Sequence, residues 1–318
     1  MKAPPSSRYE ANILAQPDLL RKVLAEPLPD WMPRLRGCPI HFVGVGSSYH
    51  AAEIAKALWR RLAGPRAEAA HSFEFARLPQ PVGRGDVVAV LSHRGGNSFT
   101  VEAGRLARKA GAATVAITGR GASWREAPDH RIDCCELEDT GAFTKSLTTT
   151  LAWIARWIGA PDLLDGLRRA EEGLRQGPEF PKLSAGSDLV LVGDLEREWV
   201  ARETALKLLE TSFIKARAFG LEEFLHGPQL SVGKGTTALL FCGAAEPRAV
   251  QARRYLKGVG ARVVEVHAPG LPADAAWLGQ LLWGQRLAAD ACRRLGVDPD
   301  DNRRGDERYR KALAAIGL

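Results

Sequence analysis

The chain has 318 residues, 45% of them hydrophobic and 25% charged, with a formal net charge of +7. That length admits two domains of ordinary size, and the apolar fraction excludes a disordered chain. No stretch approaches the roughly 18 uninterrupted apolar residues of a membrane span, and the opening "MKAPPSSRYEANILAQ" lacks an apolar signal core, so a soluble, cytoplasmic protein is expected.

The basic balance suits an acidic ligand. The arginines, however, are scattered through helical stretches that also carry Glu and Asp, and no basic run with interleaved aromatics points to nucleic acid. The five cysteines, Cys38, Cys134, Cys135, Cys242 and Cys292, are odd in number and contain no C-x-x-C pair, which argues against a disulfide framework or a zinc site.

In chain order, "ANILAQPDLLRKVLAE" predicts helical segments broken at Pro17, followed by the proline-rich "PLPDWMP"; residues 1–35 form an N-terminal helical segment. A short apolar strand from Pro39 then leads through "GVGSSYH", Gly44–His50, into an alanine-rich helix. The next strand, "DVVAVLS", exits through Ser92, His93, Arg94, Gly95, Gly96, Asn97 and Ser98 before the helical "VEAGRLARKAGA". A simple turn with a serine or asparagine N-cap needs fewer polar side chains; an anion site would use all of them, because the first N–H groups of a helix lack internal partners.

The chain then says the same thing again. "PIHFVGVGSSYHAAEIAKAL" matches "SDLVLVGDLEREWVARETALKL" in pattern, with Gly44 and Gly193 lying 149 positions apart; "KAGAATVAIT" and "KGVGARVVEV" place Gly111 and Gly260 at the same separation. Apolar runs alternating with helical patterns indicate parallel strands covered on both faces. The expected fold is therefore α/β with two tandem domains, 36–175 and 184–318, the second including a C-terminal tail. The join falls near "RQGPEFPKLSAGS", Arg175–Ser187.

Open parallel sheets bind ligands at the carboxyl ends of their strands. That brings "GVGSSYH" and "SHRGGNS" to one sheet edge, where two hydroxyl-rich and glycine-rich loops make a phosphate cradle. "GVGSSYHA" lacks the third glycine of a dinucleotide fingerprint, so no nucleotide cofactor is expected. In the second half, "ARETALKLLETS" sets Glu203, Lys207 and Glu210 on one helical face; the plain reading is a solvated stripe with a Glu203–Lys207 ion pair. Downstream, His226 stands beside Gly227–Pro228. A carboxylate and an imidazole are the two groups that sugar isomerisation requires, one to move a proton between adjacent carbons and one to open the ring.

These segments carry a resemblance. "ETALKLLETSFIKARAFGLEEFLHGP", "GVGSSYHAA", "LSHRGGNSFTVEAGRLARKAGA", "FTKSLTTTLAW" and "NILAQPDLL" are together similar to the sugar isomerase (SIS) domain family, in the two-domain form of the phosphosugar isomerases and of the isomerase half of the glucosamine-6-phosphate synthases. The resemblance implies that Ser47, Ser48, Ser92 and the amides near Gly95 hold a sugar phosphate, with Asn97, Thr144 and Lys145 lining the same pocket. It implies further that Glu210 transfers the proton, that His226 opens the ring, and that Glu203 and Lys207 contact sugar or partner. In the family the histidine arrives across a subunit interface, which implies a homodimer with a shared site.

The departures matter as well. Where the second phosphate loop of the family reads "S-x-S-G-E-T", this chain loses two hydroxyls and gains Arg94, whose guanidinium offers phosphate a bidentate fork or else fills the pocket itself. In the tail, Arg303, Arg304 and Gly305 stand where the family has leucine, alanine and the Schiff-base lysine, and no glutaminase segment is present, which argues against amidotransferase chemistry. The expected activity is aldose–ketose isomerisation of a hexose or hexosamine 6-phosphate without metal or nucleotide. A deglycase or deaminase acting through the same two groups, and a non-catalytic sugar-phosphate sensor, are the alternatives.

Overall fold

The computed structural model describes residues 7–64, 66–96, 98–175, 180–243 and 245–316. Two helices open the chain, α1 (Arg8–Leu14) and α2 (Gln16–Ala25), followed by a short α3 (Trp31–Leu35). The break expected at Pro17 falls at Ala15, and Pro17 sits in the first turn of α2, where its missing N–H leaves no bond unmade.

The first sheet is built from β1 (Ile40–Gly44), α4 (Ser47–Leu62), β2 (Ala67–His71), α5 (Ser72–Arg77), β3 (Val87–Leu91), α6 (Ser98–Lys109), β4 (Ala113–Arg120) and β5 (His130–Glu136), and is followed by α7 (Lys145–Ile158) and α8 (Pro161–Arg175). The second takes β6 (Asp188–Gly193), α9 (Glu196–Lys207), β7 (Ala216–Gly220), α10 (Leu221–Leu225), β8 (Thr236–Phe241), α11 (Pro247–Gly258) and β9 (Arg262–Glu265), and ends in α12 (Ala276–Leu295) and α13 (Glu307–Ala315). Every strand pair is parallel, in the orders β2-β1-β3-β4-β5 and β7-β6-β8-β9. In both, the first strand in sequence has its next neighbour on one side and the third on the other. The chain thus reverses direction between β1 and β3, and the loops leaving those two strands flank the crevice.

Gly44 and Gly193 end the first strand of each sheet, and the reason is the same at both: a Cβ would lie 2.5 Å from the carbonyl of Ser48 at one and would clash with that of Arg197 at the other. Two residues on, Gly46 caps α4 with φ +58° and Leu195 caps α9 with φ +49°. The repeat thus extends to an unusual backbone conformation, although leucine carries a Cβ there and glycine does not.

The largest core fills the space between the sheets, combining Phe42, Leu58, Trp59 and Trp157 with Leu191, Val200, Phe241, Trp277 and Leu287. Two smaller cores cover the outer faces: Val43, Phe75, Val88 and Ala103 under α5 and α6, and Val192, Phe224, Leu240 and Leu256 under α10 and α11. Helices α4 and α9 pack directly against one another, and α12 packs on α8 and α9. Among the described residues no helix is long and apolar enough to cross a membrane.

Candidate active site

The α4–α9 contact decides the character of the Glu203–Lys207–Glu210 stripe. It is not solvated: Glu203 is fully buried and Lys207 is 1% exposed, because the first turn of α4 lies over this face of α9. Lys207 Nζ donates to Ser47 Oγ at 3.0 Å and to Glu210 Oε2 at 2.7 Å, and lies 3.3 Å from Glu203 Oε1. Ser47 Oγ in turn donates to Glu203 Oε1 at 2.9 Å, and His50 Nδ1 sits 2.7 Å from Glu203 Oε2. Burial pushes the Glu203 carboxyl up, but Lys207, His50 and Ser47 together outweigh it and hold the group below its ordinary value. The ammonium of Lys207 also pays for burial, and the two carboxylates beside it leave it well above the usual lysine range.

Glu210 stands apart from Glu203 in one respect. After Lys207 the helix widens into a π-helical turn, Leu208–Ser212, ended by Phe213 at φ +59°. Such single π turns re-aim side chains at functional sites. Here the turn leaves the carboxylate of Glu210 31% exposed while still bonded to Lys207. Its backbone carbonyl accepts from Asn302 Nδ2 of the C-terminal tail, so the tail closes over this end of the cluster.

Ser47 also lines a second feature, a narrow cleft with about 20 Å³ of free space, bounded by Ser47, Ser48 and Ala51 from α4, Ser92 and His93 after β3, and Phe143, Ser146, Leu147 and Thr150 at the start of α7. Three expected phosphate ligands, Ser47, Ser48 and Ser92, are thereby brought together. Gly95, at φ +68°, donates its N–H to Ser92 Oγ at 3.2 Å; a Cβ there would lie 2.7 Å from the indole of Trp124.

Other expected residues are placed differently. Arg94 is not among the lining side chains: its Nη2 donates to the carbonyls of Glu138 and Thr140 at 3.3 and 3.4 Å, and its guanidinium lies 5.2 Å over the Phe143 ring. The guanidinium thus lies against Phe143, a residue that itself lines the cleft. Thr144 is buried, with its N–H and hydroxyl engaged by the Glu138 carboxylate. Lys145 is half-buried as the first residue of α7. Asn97 lies outside the described residues. His226 is 74% exposed at the end of α10, 3.4 Å from the Glu222 carboxylate.

Sequence reasoning missed three groups. His50 follows Ser47 by three positions on α4, a spacing that marks a shared face and could have suggested it. Glu138, buried in the loop after β5, accepts from the N–H groups of Thr144 and Ser146 and from the Ser146 hydroxyl, capping α7 from outside the helix; nothing in its sequence context signals this. Asn302 belongs to a tail segment read only for its missing lysine.

Residues 39–156 match the family model described as SIS domain. The chain is 28% identical over 334 aligned positions to the glutamine–fructose-6-phosphate aminotransferase [isomerizing] of Legionella pneumophila (strain Lens), covering 90% of this chain and 53% of that protein. It spans about half the length of the curated relatives it matches, or less. Among solved structures, glucosamine-6-phosphate deaminase from Thermotoga maritima superposes with a TM-score of 0.75 at 22% identity, covering 92% of this chain and 97% of that one. Tagatose-6-phosphate ketose/aldose isomerase from Escherichia coli gives 0.75 at 20% identity, covering 94% and 97%. At these identities the structural likeness is one of fold.

Proposed function

With the SIS domain at residues 39–156 as premise, we propose that this chain is a phosphosugar isomerase, interconverting aldose and ketose forms of a hexose or hexosamine 6-phosphate. The observation that carries the reading is Ser47, which lines the hydroxyl-rich cleft and is hydrogen-bonded to the buried Lys207–Glu203 pair whose lysine holds Glu210. Phosphate bound by Ser47, Ser48, Ser92 and the amides near Gly95 sets the sugar beside Glu210. The carboxylate of Glu210 takes the proton from the carbon next to the carbonyl and returns it to the neighbouring carbon through an enediol. Lys207 orients that carboxylate and supplies positive charge where the enediolate develops.

Ring opening falls to His226. It is exposed and outside the charge cluster of its own chain, which suits delivery by His226 of the partner subunit in a homodimer with a shared site. The second sheet, with its matching strand order and 149-residue offset, is read as a second SIS domain over 184–318, after a first over 36–175. The equivalent of Ser47 in that half is Glu196, buried and bonded to Arg61 at 2.7 Å, so the anion belongs to the first half alone.

A second reading, release of ammonia from an aminosugar phosphate, is supported by the fold likeness to the deaminase and uses the same groups. Incubation with a panel of hexose and hexosamine 6-phosphates, followed by NMR for both interconversion and ammonium, separates the two. Binding of sugar phosphate without turnover of any member would favour a sensor over both.

A further inference from the structure

Behind the cleft, three groups that the isomerase reading leaves unused meet in the interior. Strands β4 and β5 slip register between Thr118 and Gly119: Thr118 pairs with Asp133 and Gly119 with Cys135, leaving Cys134 as a bulge residue. Bulges re-aim a side chain, and here the two successive cysteines are both buried with their Sγ atoms 4.0 Å apart. A ring nitrogen of His93 and both sulfurs lie within 4.8 Å of one another.

Two thiols and an imidazole suggest a metal, but the hydrogen bonding of His93 argues for other chemistry. Its Nε2 accepts the backbone N–H of Glu138 at 2.7 Å, so in the neutral ring the proton sits on Nδ1. A metal-binding histidine is proton-free at the ligating nitrogen and donates from the other; His93 has the reverse arrangement. Nδ1–H is instead a buried donor with no hydrogen-bond partner of normal geometry, facing sulfur. The Cys134 thiol is drawn below its ordinary value by the Cys135 S–H, against the opposing effect of burial, with His93, Thr150 and Thr149 adding to the pull. Cys135 is pushed the other way by its partner and by burial. The two thiols are thus unequal: Cys134, whose Sγ also lies 3.9 Å from the Ser146 carbonyl, is the more readily ionised, and Cys135 stays protonated beside it, the arrangement of a nucleophilic cysteine next to a resolving one.

We propose that Cys134 and Cys135 form a peroxide-oxidised dithiol whose state controls the shape of the adjoining cleft. Hydrogen peroxide, little larger than water, approaches through the cleft, where His93, Ser146 and Thr150 are lining residues next to Cys134. The Cys134 thiolate attacks one peroxide oxygen: an S–O bond forms, the O–O bond breaks, sulfur loses two electrons, and hydroxide leaves to be protonated to water. His93 Nδ1–H then donates to the sulfenate oxygen. The Cys135 sulfur attacks the sulfenate sulfur, the S–S bond forms, the S–O bond breaks, and oxygen departs as water with the Cys135 proton and one from solvent or His93. Adjacent Cα atoms are about 3.8 Å apart, less than the roughly 4.4 Å minimum of relaxed disulfides, so the bond is strained and readily reduced by a dithiol.

The same bulge holds the phosphate loop. Gly119 N–H donates to the His93 carbonyl at 2.9 Å and Thr118 Oγ1 to the Ser92 carbonyl at 2.6 Å. Drawing the sulfurs from 4.0 Å to about 2.05 Å pulls on this corner and displaces Ser92 and His93 in the cleft wall. This coupling rests on the cleft being the sugar-phosphate site; the oxidation does not.

The native protein is treated with hydrogen peroxide, its remaining thiols are blocked, and it is digested with trypsin. The peptide Ile132–Lys145 should lose about 2 Da, regain it with dithiothreitol, and in Cys135→Ser carry a dimedone adduct on Cys134 instead. A fully reduced Ile132–Lys145 peptide, while the half-buried Cys38 and Cys242 oxidise, would overturn the proposal. Affinity for fructose 6-phosphate should fall at least about tenfold on oxidation and recover on reduction, and Cys134→Ser should bind equally well before and after peroxide. Oxidation at the pair with unchanged affinity would overturn the coupling. If the untreated protein binds no hexose phosphate, the isomerase reading fails, and the peptide mass still decides the oxidation site.

Discussion

Lys207 is the residue on which the charge cluster turns. It is fully enclosed between Glu203, Glu210 and Ser47, so replacing it leaves a buried carboxylate without its counter-ion. Lys207→Met should cost about 3–5 kcal/mol in urea unfolding, and pairing it with Glu203→Gln should recover part of that loss. Glu210, partly exposed and outside the core, should behave in the opposite way: Glu210→Gln lowers turnover by about 100-fold or more while leaving phosphate binding and thermal midpoint nearly unchanged. The pH dependence follows from the two shifts. Glu203 is held below its unfolded value, so its contribution is complete above about pH 4.3 and is lost as pH falls through the lower folded value. Lys207 is held above its unfolded value, so its contribution is complete below about pH 10.4 and is lost as pH rises through the folded one. Thermal midpoints across pH should show a plateau between these limbs, and Glu203→Gln should flatten the acid limb.

At the scale of elements, sequence patterning located the central strands and one edge strand, β9. β3 is buried at every position and β1, β6 and β8 nearly so, hence their unbroken apolar runs. The edge strands β2, "AEAAH", and β7, "ARAFG", are half-exposed and carry no such run, so their pairing is decided by the helices that precede them. The candidate site was legible in the same uneven way. Helical spacing aligns Glu203, Lys207 and Glu210, but only α4, distant in sequence, turns that stripe into an interior cluster, and no local pattern encodes it. Two elements invite direct tests. Leu195 adopts the left-handed backbone that Gly46 adopts at the corresponding turn, and its side chain is 69% exposed. Leu195→Gly relieves that strain and should raise stability by about 1 kcal/mol in denaturant titration, after the entropy that glycine adds to the unfolded chain. Glu138 caps α7 with a buried carboxylate; Glu138→Ala should cost about 1–3 kcal/mol and speed amide exchange in the first turn of α7.

For the whole molecule, the proposed division of labour between Glu210 and His226 across a homodimer predicts complementation. Glu210→Gln and His226→Ala dimers should each be nearly inactive, and mixing them after dissociation should restore activity, since some interfaces then carry both intact groups. Assay of the mixture against each parent decides it, and mixed dimers as inactive as the parents would place both groups in one chain. The seam between α4 and α9 has its own consequence. Helix α9 begins 149 positions after α4, so the chain brings two corresponding helices face to face: Ser47, opening α4, reaches Lys207 and Glu203, while Glu196, opening α9, reaches Arg61 near the end of α4. Reciprocal contacts of this kind are what two identical subunits make across a two-fold axis. If the two halves are repeats of one domain, as proposed, the chain is a dimer whose halves were tied together, and the tether ends the requirement that both sides be the same. One copy is then free to keep hydroxyls at its helix entry and the other to place an acid there, an asymmetry that no pair of identical chains can reach.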